Sequence, residues 1–109
     1  MNMNEYQEAA LETAIYPNKG SNFVYPALGL TGEAGEVADK LKKVIRDNMG
    51  VLTDPTRDAV AKELGDVLWY VATLAHEMDY SLDQIAEMNL MKLYSRKVRD
   101  AISGSGDDR

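Results

Sequence analysis

Apolar residues recur at spacings of three and four along most of the chain, the pattern of helices with one buried face. One run is Leu30, Ala34, Val37, Leu41 and Val44; a second is Val60, Leu64, Val67, Val71, Leu74 and Met78. Turn and capping residues divide the chain into four predicted helices. The first covers 4–16, with Tyr6, Ala9, Ala10 and Ile15 as its apolar positions, and Pro17-Asn18-Lys19-Gly20-Ser21-Asn22 ends it. Tyr25-Pro26 opens the second, proline being suited to a first turn, and Asn48 and Gly50 stop it. Asp54 as N-cap and Pro55 at the first helical position open the third, which runs to about Asp79. Ser81-Leu82-Asp83-Gln84 is a capping-box pattern for a fourth, running to about Ser103. Residues 104–109 form a polar tail expected to be disordered. The prediction is an all-α, four-helix, single domain over 1–103, and few β-branched clusters argue against a sheet.

The polar positions carry a second pattern. Glu33-Ala34-Gly35-Glu36-Val37 is echoed thirty residues later by Glu63-Leu64-Gly65-Asp66-Val67. Residues three apart share a helix face, so each phrase aims two carboxylates in one direction. Glu33, Glu36, Lys40 and Lys43 fall in one sector of the second helix, roughly 120° from the apolar stripe. Glu63, Asp66, Tyr70 and Thr73 hold the same relation on the third. With the stripes face to face, the two polar edges meet along one side. A mid-helix glycine costs about 0.5–1 kcal/mol relative to alanine, so Gly35 and Gly65 suggest close helix approach or access for a ligand.

A single acidic pair is ordinary on a solvated helix, and Glu36 with Lys40 is a common i,i+4 ion pair. The repetition in register is what favours a site. Two carboxylates about 4 Å apart repel by about 4 kcal/mol at an effective dielectric near 20. Four can converge only around something positive. All-oxygen ligation favours magnesium, manganese or calcium over zinc. A di-iron bundle would want Glu-x-x-His on paired helices; the one histidine, His76, has Thr73 three before it and reads as a surface or interface residue.

Composition narrows the field. The chain has 109 residues, 45% of them hydrophobic, so it can hold one small core, and association into a dimer or more is plausible for that size. A net charge of −6 argues against a nucleic-acid polymer as partner. There is no cysteine, hence no disulfide, thiolate nucleophile or cysteine–zinc site. No apolar run reaches the roughly 18 residues that span a bilayer, and the N-terminus lacks a signal-peptide pattern, so a soluble cytoplasmic protein is expected. On the fourth helix Asn89, Lys92 and Arg96 share a face suited to phosphate oxygens, or to no more than a solvated basic helix end. Met91, Val98 and Ile102 form a separate apolar line there, read as an oligomer interface. Trp69 and Tyr70 can stack on a base, or simply pack.

Residues 29–43, Gly-Leu-Thr-Gly-Glu-Ala-Gly-Glu-Val-Ala-Asp-Lys-Leu-Lys-Lys, closely resemble the first motif of the MazG-like nucleotide pyrophosphohydrolases. Residues 63–70 resemble the second, and Asn89-x-x-Lys92-x-x-x-Arg96 the third. The resemblance spans roughly residues 25–97 and implies an all-α fold assembled as a homodimer or homotetramer. It also implies magnesium-dependent cleavage of a nucleoside triphosphate between the α and β phosphates, with manganese as a substitute ion. Carried over, Glu33, Glu36, Glu63 and Asp66 hold the metal and perform the catalysis. Lys40, Asn89, Lys92 and Arg96 face phosphate, while the 17–25 loop with Trp69 and Tyr70 bounds the base pocket. One carboxylate not fully used in ligation is the expected general base. Relatives acting on dUTP or phosphoribosyl-ATP leave the substrate open, and a non-catalytic helical interaction module is the competing reading.

Overall fold

The computed structural model describes residues 1–99, 104, 106 and 107. It contains α1 (Met3–Glu12), α2 (Val24–Asn48), α3 (Asp54–Glu77) and α4 (Leu82–Val98), and no strand among the described residues. Each start has a local cause. Asn2 caps α1 in a capping box with Glu5. The Asn22 side chain accepts from the Tyr25 amide (3.1 Å) and so caps the turn that opens α2. The cap of α3 is Thr53, whose hydroxyl accepts from the Thr56 amide; Asp54 and Pro55 already lie in the first turn, one place later than expected. Ser81 and Gln84 form the predicted box at α4. At the end of α2, Met49 turns left-handed (φ 55°), and the Met49 and Gly50 amides both donate back to the Val44 carbonyl.

The long α2–α3 hairpin is the frame, and α1 and α4 pack at its α3 side. The buried centre is Ala10, Ala72, Ala75 and Leu82, with Tyr6, Trp69 and Val71 against it. Gln7 ties this centre together. Its amide nitrogen donates to the Ala72 and Tyr80 carbonyls, and its oxygen accepts from the Leu82 amide, all at 3.1 Å. One glutamine thus joins α1, α3 and the turn into α4.

Several expectations change. The first helix ends at Glu12, because the chain turns out at Thr13; Ala14 and Tyr16 are buried while Ile15 is exposed, as is Ala9. Thr73, placed on the polar edge by angle, is fully buried, where its hydroxyl donates to the Tyr70 carbonyl. Of the two stripes only Val44 is buried, and Ala34, Leu41, Leu64 and Met78 remain exposed. The reason is that α4 makes no close approach to α2, so the hairpin lacks a third layer along most of its length. The radius of gyration, 16.7 Å, exceeds the roughly 13 Å of a compact domain this size. On α4, Met91 and Val98 are exposed as expected; Ile102, and the predicted extension of the helix to Ser103, lie outside the described residues.

Candidate metal centre

Facing helices bring the repeated acidic phrase together. Glu33 of α2 and Glu63 and Asp66 of α3 each offer a carboxylate oxygen, and the three oxygens lie within 4.8 Å of one another. Partial burial, a hydrogen bond to Glu63 and the charges of Asp66, Glu63 and Glu36 hold the Glu33 carboxyl above the ordinary carboxylate range. The group retains a proton more readily than usual because it is partly desolvated and crowded by other carboxylates. Glu36 is exposed and stands outside the trio, close enough for its charge to reach Glu33.

The donor set is all oxygen, drawn from two rigid helices, and mutually repulsive when bare. That fits a hard divalent cation such as Mg2+ or Mn2+. Lys40 already answers part of the charge, with its ammonium 3.5 Å from Glu63. Lys43, in the same sector, is instead held by Asp39 at 2.8 Å.

A cleft of about 370 Å3 opens beside the trio, lined by Thr13, Glu33, Asp66, Trp69 and Tyr70. The Trp69 indole donates to the Thr13 hydroxyl (2.8 Å), and the two aromatic rings meet edge to face. Burial, the neighbouring Tyr25, Glu33 and Asp66, and a hydrogen bond with Tyr25 raise the Tyr70 hydroxyl above its usual pKa. A larger hollow of about 570 Å3, reaching from Lys40 to Thr53 and Ala59 at the far end of the hairpin, contains no comparable ligand set among the described residues.

Gly35 and Gly65 do not mark close helix approach, since a side chain on either would meet open space. The close approach is at Gly29, where a Cβ would collide with the Tyr70 ring. Within one chain the α4 residues do not join the trio. Asn89 and Lys92 line a separate hollow with Ile85 and Met88. Arg96 is buried and donates to the Gly106 and Asp107 carbonyls, while Lys92 holds the Asp107 carboxylate at 3.0 Å. The Arg96 Nε atom is buried without a partner among the described residues. Thr13 carried no local signal in the sequence, because its role depends on Trp69, 56 residues away.

The model of one protein family, the MazG nucleotide pyrophosphohydrolase domain, matches residues 26–99. The chain is also 50% identical over 114 aligned residues to the Gene 37 protein of Mycobacterium phage L5, covering all of both chains. No solved structure matches. A family model that takes in both acidic phrases and the basic face of α4 covers well over half of the chain, which therefore belongs to the MazG nucleotide pyrophosphohydrolase family.

Proposed function

We propose that this protein is a metal-dependent nucleoside triphosphate pyrophosphohydrolase, converting (d)NTP and water into (d)NMP and diphosphate. The observation that carries this reading is the convergence of Glu33, Glu63 and Asp66 from facing helices beside an open cleft. Family membership supports the reaction class.

Glu33, Glu63 and Asp66 would hold Mg2+, with the charge of Glu36 close by. When bound, the ion supplies Lewis-acid stabilisation of phosphate oxygens and lowers the pKa of a coordinated water. The chain's own groups do the rest. Lys40, at the rim of the trio, is placed to take a phosphate oxygen in exchange for Glu63. Trp69 and Tyr70 give the cleft an aromatic wall against which a base can stack. A carboxylate left outside the ion's shell accepts the proton of the attacking water.

The reading includes a homo-oligomer. Leu28, Ile45 and Leu64 on the hairpin and Met88, Met91 and Tyr94 on α4 are exposed in the single chain, which supports apolar faces covered by a second copy. Because Asn89, Lys92 and Arg96 stand apart from the trio of their own chain, they would serve phosphate across such an interface. No helix among the described residues is long and apolar enough to cross a membrane. A cytoplasmic location follows from the proposed substrate.

The test is a panel of dATP, dCTP, dGTP, dTTP, dUTP and phosphoribosyl-ATP, assayed for diphosphate release with and without Mg2+. Release that requires Mg2+ and disappears in Asp66→Asn is the expected result. Turnover that survives chelation, or absence of turnover with every substrate, overturns the reading.

A further inference from the structure

Glu77, at the last turn of α3, lies outside every motif of the sequence, yet it gathers the loop between α1 and α2. One of its carboxylate oxygens accepts from the Tyr16 hydroxyl (2.5 Å) and from the Gly20 amide (2.8 Å), and the carboxylate also accepts from the Asn22 amide. Partial burial pushes this carboxyl up, but the three donors outweigh it and hold the group below the ordinary range. The segment it organises is unusual backbone, with Asn18 (φ 54°) and Gly20 (φ 95°) both left-handed.

The contacts continue toward the cleft. Tyr16 is buried, and its ring stacks on that of Tyr25 with centroids 5.0 Å apart and planes 11° from parallel. The Tyr25 hydroxyl is the hydrogen-bonding neighbour of the Tyr70 hydroxyl, which lies close enough to Glu33 and Asp66 to feel both charges. At its near end the same loop carries Thr13, a wall of the cleft, held by Trp69. The loop is therefore pinned twice, by Trp69 at the cleft and by Glu77 at the far end. Only the second pin is ionic, and a carboxylate accepting several hydrogen bonds is a stronger anchor than neutral contacts.

We propose that Glu77 is a positioning residue for the nucleotide cleft: through Tyr16 and the Gly20 amide it fixes the α1–α2 loop so that the Tyr16–Tyr25 stack sets Tyr70 against the acidic trio. This rests on the nucleotide reading given above. It assigns substrate affinity, and not metal binding, to a residue at the far end of α3.

The test compares the unmodified chain with Glu77→Gln, Tyr16→Phe and the double variant. Nucleotide affinity is read from the fluorescence of Trp69, the one tryptophan, on titration with dATP, dCTP, dGTP and dTTP in the presence of Ca2+. This readout needs no turnover, so a failure of hydrolysis and a failure of positioning are told apart. Each single variant should weaken nucleotide binding by about fivefold to tenfold, and the double variant by no more than the worse single, because both act through the Tyr16–Glu77 contact. Mn2+ affinity should stay within about twofold in all three, as the trio is untouched. With the fastest substrate, KM should rise and kcat hold. Unchanged nucleotide affinity in either folded variant overturns the proposal. So do multiplicative losses in the double variant, a fall in nucleotide and Mn2+ affinity together, or failure of both single variants to fold, since each makes the contact merely structural. No fluorescence response to any nucleotide in the unmodified chain overturns this proposal and the function together.

Discussion

The ring of Tyr70 lies on the α-carbon of Gly29, where any side chain would collide with it. Gly29→Ala tests two opposed effects. Overpacking a close contact costs about 1–3 kcal/mol, while alanine in place of a mid-helix glycine returns about 1 kcal/mol. The net loss of stability should be small, at most about 2 kcal/mol, because the ring can swing out into the adjoining cleft. That movement blocks the aromatic wall, so nucleotide affinity should fall by about tenfold or more. Thermal melts and nucleotide titration check both halves. A variant with unchanged affinity would show that the placement of Tyr70 does not matter to the cleft.

Glu33 sets the pH behaviour of the metal-free protein. Its carboxyl is raised by burial, by its bond to Glu63 and by the neighbouring charges. A carboxyl raised in the fold contributes stability that is complete below its unfolded pKa and is lost as pH rises through its folded pKa. In EDTA, melting temperatures should therefore decline from about pH 4.5 toward neutrality, and Glu33→Gln should flatten that decline. Melts across this range check it; equal slopes in the two proteins would contradict a crowded acidic trio.

Gln7 is predicted to matter for folding and for nothing else. Gln7→Ala leaves the Leu82 amide and the Ala72 and Tyr80 carbonyls without their partner beside the buried centre. The cost should be about 2–4 kcal/mol, a fall in Tm of at least about 8 °C. Mn2+ affinity of the folded variant should be unchanged. A loss under about 0.5 kcal/mol would mean that water replaces the side chain easily.

What the sequence made legible was local. The capping box of Ser81 and Gln84 is written within four residues, and the convergence of Glu33, Glu63 and Asp66 follows from helical spacing once two helices face each other. The cap of α3 was misplaced by one residue because Thr53 and Asp54 are both competent caps. Distant partners were not legible. Ile15 and Thr73 exchanged their expected environments because helical angle says nothing of where a chain leaves its helix or what covers a face. Gln7, Thr13 and Glu77 act on residues more than fifty positions away, and no spacing rule points to them. The glycine whose smallness is used is Gly29, chosen by Tyr70, and not the two glycines that repeat with the acids.

The direct measurement is Mn2+ binding followed by electron paramagnetic resonance, on the unmodified chain and on Glu63→Gln, with circular dichroism to confirm the fold. Glu33, Glu63 and Asp66 sharing an ion predict saturable binding in the unmodified chain and at least about a tenfold loss in the variant, with helix content unchanged. No saturable binding up to millimolar Mn2+, or equal binding by the two proteins, would contradict a metal centre at the meeting of α2 and α3.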